Sequence, residues 1–345
     1  MESEALDAAL STFATTAPEF GVHGLSNHGP MASEVLEHLG QAEAIGPWSA
    51  RYRTRLDDAP PPASRRLDDD EWPAALGRFE RYPEWLTLFE RELADQPATA
   101  VVAEWVPRLV PGTIGAAGHG LIRTAHGLRA LSTADSAARR LELAHGLAFW
   151  ASRYQELPGP PLLIGHQGVV DALADLPYLP EDTPEEFLIS DQVAHVAEIS
   201  DEFEQAVASL GFTGSSSELV DALASGGARA YLRNADSGHA IALLHSITGP
   251  LALELVLPWL NREDQDAALG YAWQAVAAIH VAYDIDRQRD DDVEMEPPSA
   301  DELVGMALAS GDEHALKLTE AALRSHARSG DPALLLAAAD ACKRL

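Results

Sequence analysis

His314 and Lys317 stand three residues apart in the stretch Asp312-Glu313-His314-Ala315-Leu316-Lys317-Leu318. Residues spaced by three share a helix face. The chain has only two lysines among its 24 basic residues, so one of them inside an apolar, helix-like run is conspicuous. Lysine is ordinarily a solvated surface cation, but burial makes its proton easy to lose and turns the amine into a nucleophile or a modifiable base. The bland alternative is that Lys317 pairs with Asp312, Glu313 or Glu320 and snorkels to water.

Thirteen histidines accompany it, and three further patches stand out. In Ser26-Asn27-His28-Gly29-Pro30-Met31 a turn feeds a helix, with Pro30 suited to a first helical position and His28 just before it. In Gly118-His119-Gly120-Leu121-Ile122-Arg123-Thr124-Ala125-His126-Gly127 the two histidines are seven apart and project from nearly one face, while the glycines admit a close neighbour, either backbone or ligand. His245 lies in the otherwise apolar Leu243-Leu244-His245-Ser246-Ile247-Thr248. Any one of these is explained as a core histidine bonded to a carbonyl. Several on inward faces of different helices match the way helical bundles build metal sites, for which neutral imidazole is a good ligand of iron, copper or zinc.

Other chemistries find less support. The acidic runs Asp68-Asp69-Asp70-Glu71 and Asp290-Asp291-Asp292-Val293-Glu294 would suit magnesium-diphosphate binding in an all-α terpene cyclase, but both fall at loops or helix ends, where solvated charge is the ordinary reading. No G-x-S-x-G elbow, Walker loop or strand-borne G-x-G-x-x-G occurs. A formal charge of -30 repels phosphate backbones and anionic lipid, which argues against nucleic acid and membrane as partners. The single cysteine, Cys342, permits no internal disulfide and points to a reducing compartment. The acidic start Met1-Glu2-Ser3-Glu4 lacks a secretory pattern, and no run approaches about 18 uninterrupted apolar residues. The expectation is a cytoplasmic protein.

The elements that must position these residues follow helical periodicity, with Ala, Leu, Glu and Arg dominating. Helices are predicted over 2–16, 31–40, 73–94, 98–109, 114–131, 134–156, 168–175, 191–209, 216–232, 238–257, 262–285, 300–310, 313–328 and 332–343. Proline-rich breaks at 60–62, 158–161, 177–184 and 297–298 end helices. None reads as an interdomain linker and no repeat has a fixed period, so a single all-α domain over 1–345 is expected, with a buried site between helices.

Taken in order along the chain, these patches resemble the questin oxidase-like family. The matching residues are Asn27-His28-Gly29-Pro30-Met31 with Leu39-Gly40, then Gly118 to Arg123, Leu244-His245-Ser246-Ile247-Thr248, and Asp312 to Lys317. The resemblance implies oxidative chemistry on polycyclic aromatic ketones of the anthraquinone type, in some members a Baeyer-Villiger ring opening. A related member looks like a nonheme iron dioxygenase with four histidines and a carboxylated lysine at the metal. Carried over position by position, that implies His28, His119, His245, His314 and Lys317 as ligands, with His126 and His280 in reserve. Fungal relatives often have histidine where Ser26 stands, so that extra position is lost here.

The lysine's physics agrees with the resemblance, since a neutral buried amine adds carbon dioxide to give a carbamate, an anionic oxygen donor on a long arm. The expected protein is thus an oxygenase using Fe(II) and O2 on a small aromatic substrate. Arg123 would orient a phenolate or ketone oxygen, and some of Trp48, Trp85, Trp105, Trp150, Trp273 and Tyr283 would line the cavity, although ordinary core filling explains most such aromatics. Two rivals are a metal-free helical binding protein for an aromatic metabolite and an NADPH-dependent Baeyer-Villiger monooxygenase; for the latter the sequence offers no nucleotide cradle.

Overall fold

Helical spacing in the sequence becomes helix in the structure almost throughout. The computed structural model describes residues 2–68, 70–285, 287 and 296–345. Asp69 and the acidic run at 290–294 lie outside the described residues. Among those described, the one sheet is a two-stranded antiparallel ribbon, Glu19–Phe20 against Leu25–Ser26. The all-α class is as the sequence implied.

Contacts divide the chain into two compact units, Met1–Gln155 with Leu255–Asn261, and Glu156–Glu254 with Arg262–Leu345. The first crossing comes just before the prolines at 158–161, a short break whose composition does not distinguish it from a loop.

The first unit carries α1 (Glu2–Phe13), α2 (Gly29–His38), α3 (Ala42–Arg53), α4 (Trp72–Ala75), α5 (Tyr82–Asp95), α6 (Ala98–Leu109), α7 (His119–Thr133) and α8 (Ala137–Ser152). Helices α7 and α8 pack closely because glycine lets their backbones approach: a Cβ on Gly120 would lie 2.4 Å from Cα of Trp150, and one on Gly146 would lie 2.8 Å from Cα of Thr124. The space left by Gly120 is therefore filled by a neighbouring helix. Around α5 and α6, Trp85 stacks on Phe89 at 5.8 Å and Trp105 meets the Phe89 edge at 5.1 Å. Helix α3 has no counterpart in the sequence reading, because Gly46 and Pro47 sit inside it and mimic a break.

The second unit carries α9 (Val169–Ala174), α10 (Ile189–Ala194), α11 (Ser200–Val207), α12 (Ser216–Arg233), most of α13 (Ala240–Val256), α14 (Arg262–Tyr283), α15 (Ala300–Ser310), α16 (Glu313–Ser329) and α17 (Pro332–Arg344). Helices α15 and α16 both pack on α17, and α12 packs on α14 and α17. Its last helices begin and end where capping chemistry directs. Ser299 and Glu302 form a capping box for α15, Asp312 caps α16 and Asp331 caps α17, with left-handed Gly311 and Gly330 closing the helices before them.

The segment Ala240–Trp259 is long and apolar enough by composition to cross a bilayer, yet 72% of that window is buried within the protein, as in a core helix.

Candidate metal centre

In the first unit the sequence brings two of the expected ligands together. His28 ends the turn that follows the ribbon and occupies the N-cap of α2, with Pro30 in the first helical positions. Asn27 locks that turn: its amide nitrogen donates to Thr16 Oγ1 at 2.8 Å and to the Ala17 carbonyl at 3.0 Å, and its oxygen accepts from the Gly29 amide at 2.9 Å. The His28 amide donates to the Tyr52 hydroxyl at 3.0 Å. Neither Thr16 nor Tyr52 was legible as a support in the sequence, because both are remote along the chain.

His119 opens α7 after three consecutive left-handed residues, Ala116 (φ 48), Ala117 (φ 57) and Gly118 (φ 81). Two of these are alanines, each costing about 1 to 3 kcal/mol in that region, and strain of this kind collects at functional sites. Its product is visible: the Ala116 carbonyl turns back to accept from His119 Nδ1 at 2.5 Å. A carbonyl only accepts, so Nδ1 holds the proton and Nε2 the lone pair. The rings of His28 and His119 are buried, with centroids 4.6 Å apart.

In the second unit the remaining three meet. His245 on α13 donates from Nδ1 to the Ile241 carbonyl one turn earlier at 2.7 Å, again leaving Nε2 as the donor atom for a metal. Burial first, and then the nearby His314 and Lys317, lower its pKa to about 3, so the ring is neutral at physiological pH. His314, at the start of α16, lies 5.9 Å from it centroid to centroid. Lys317 is 2% exposed and does not snorkel to water. Burial drives its pKa down to about 8 against the opposing pull of Glu313 and Asp312, which leaves a useful fraction of neutral amine near neutrality. Donor atoms of Asp312, Glu313 and His314 also lie within 4.8 Å of one another, a second grouping able to hold a cation.

The reserve histidines sit in other company. His126 turns Nδ1 to Glu34 at 2.7 Å, and the same carboxylate takes a fork from Arg129 at 2.6 Å. Burial pushes the Glu34 carboxyl up, but Arg129 and His126 together hold it at about 2. His280 is fully buried with Nδ1 3.3 Å from Asp284, and its surroundings include Arg233 and Arg287, whose positive charge disfavours a metal cation.

Arg123 is buried and forks onto Glu142, from Nε at 2.6 Å and Nη2 at 2.8 Å. Close by, the Tyr82 hydroxyl meets His145 Nδ1 at 2.6 Å. Most of the named tryptophans fill core: Trp85, Trp150 and Trp273 are fully buried, and the indole nitrogens of Trp85 and Trp273 are bonded to backbone carbonyls. A cleft of about 240 Å³ in the first unit is bordered instead by Pro18, Glu19, Phe79 and Tyr82. It falls below the roughly 300–1,000 Å³ of ordinary ligand pockets.

With this geometry in view, comparison with known families is decisive for one segment. Residues 48–160 match the questin oxidase-like family model. The resemblance read from the motifs is therefore confirmed over about a third of the chain, from α3 through α8. The match implies an oxidoreductase, and the grouped imidazoles suit a metal cofactor. His119 and Arg123 fall inside the questin oxidase-like segment, whereas His28, His245, His314 and Lys317 fall outside it. No curated protein matched the chain.

Proposed function

We propose that the protein is a nonheme iron oxygenase that uses O2 to cleave or oxygenate a ring of a polycyclic aromatic, polyketide-like substrate. His28, His119, His245, His314 and a carbamylated Lys317 are its proposed iron ligands. The observation that carries this reading is the burial of Lys317 in electrostatic reach of neutral His245, on which His314 also acts. A buried amine has no surface role, and the simplest use for it among imidazoles is as a precursor of an anionic oxygen donor.

The residues do their work before any substrate arrives. Neutral Nζ of Lys317 attacks the carbon of CO2, forming an N–C bond, and the displaced proton leaves to solvent, which yields a carbamate with one negative charge. Carbonyls of Ala116 and Ile241 hold His119 and His245 with Nδ1 protonated and Nε2 ready for a metal. Bound iron would supply the activation of dioxygen, a task suited to imidazole and carboxylate donors. The flat aromatic substrate class rests on the questin oxidase-like match and on the family's chemistry.

Metal analysis after anaerobic Fe(II) reconstitution tests the proposal. About one iron per chain is expected, lost in Lys317→Ala, together with a carbamate carbon signal in protein equilibrated with ¹³C-bicarbonate. A protein that takes up no metal but binds aromatic ligands is a binding protein. Nicotinamide consumption coupled to substrate would instead mark the NADPH-dependent reaction.

A further inference from the structure

His119 and His245 have their Nδ1 atoms tied to backbone carbonyls, but His314 faces a carboxylate: its Nδ1 lies 3.3 Å from Asp312 Oδ1. That oxygen is fixed independently of the ring. It accepts from the backbone amides of His314 at 2.7 Å and Ala315 at 3.3 Å, so the N-cap of α16 and the carboxylate oxygen nearest the imidazole are one atom. A cap is among the better-defined positions in a helical protein, because it satisfies amides that the helix leaves open.

We infer that Asp312 is a positioning residue that orients His314 and strengthens it as an Nε2 donor toward a divalent cation. The inference rests on the metal reading above and adds a carboxylate–histidine–metal relay to it. A carboxylate on Nδ1–H draws the ring proton toward itself, which raises electron density at Nε2 and fixes the ring plane. Among the three proposed ligands His119, His245 and His314, the first two have carbonyls at Nδ1 and His314 has the carboxylate; a carbonyl fixes the tautomer but lends less basicity. The helix start thereby transmits its rigidity to the ligand.

The two duties of Asp312 separate by substitution. Asparagine caps helices about as well as aspartate but lacks the charge. In Asp312→Asn the unfolding midpoint of the metal-free protein should stay at the wild-type value, while the affinity for Co(II), used as an optical probe, falls by roughly 10- to 100-fold with a shifted ligand-field spectrum. Asp312→Ser, a second capping residue without a carboxylate, should behave alike. Unchanged Co(II) affinity in both variants would reduce Asp312 to a cap and overturn the inference. Loss of binding as complete as in His314→Ala would make Asp312 itself a ligand, which also overturns a positioning role. Wild-type protein that binds neither Co(II) nor Fe(II) removes the metal reading, and this inference with it.

Discussion

His119 turns its Nδ1 onto the carbonyl of Ala116, three residues back, across a backbone that is left-handed at two alanines in succession. That contact fixes which nitrogen can bind a metal, and it sets His119 beside the ring of His28, whereas His126 on the same helix lies with Glu34 and the cationic Arg129.

The two histidines of α7 should therefore fail differently. His119→Ala should lower metal affinity by more than about 100-fold, beyond the roughly 10- to 100-fold typical of an outer partner. His126→Ala should leave metal uptake near the wild-type level. Parallel metal titrations of the two variants check this, and equal losses would count against the assignment of His119.

Lys317→Met should trade function for stability. Burial lowers the lysine's pKa to about 8 despite two neighbouring carboxylates, so the charged amine is held at a net cost. An apolar side chain of similar length should raise stability at pH 7 by about 1 kcal/mol, with iron retention abolished. Denaturant unfolding and metal analysis of the same preparation read both effects; a destabilised variant would show that Lys317 anchors the fold.

The Glu34 cluster sets a pH dependence. Its carboxyl is held at about 2 in the folded protein against an ordinary value of 4.5, so the unfolded chain binds more protons between those values. The stability contributed is complete above about pH 4.5 and is lost as pH falls toward 2. Glu34→Gln should flatten that limb of the stability curve and cost about 3 kcal/mol at pH 7, because Arg129 is left buried without its carboxylate. Unfolding measured from pH 2.5 to 7 in both proteins tests the sign.

Gly120→Ala should be costly for a purely steric reason. The added Cβ would meet backbone of Trp150 at 2.4 Å, which no side-chain rotation relieves. A loss of about 2 kcal/mol is expected from such overpacking, measured by thermal unfolding, and a neutral substitution would mean that α7 and α8 separate with ease.

By itself the sequence determined the helical class and the residue types able to do chemistry. Periodicity and caps are local, so α15, α16 and α17 were legible from Ser299, Asp312, Gly311, Asp331 and Gly330. Where a breaker sits inside a helix, as Pro47 does in α3, local reading fails because tertiary packing outweighs propensity. Only the tertiary structure decided which histidine keeps which company. His119, His126, His245 and His280 look alike in an apolar helical sequence, yet two meet carbonyls and two meet buried carboxylates. The tautomer of an imidazole and the charge state of a buried amine depend on atoms brought close by folding, and spacing along a chain does not encode them.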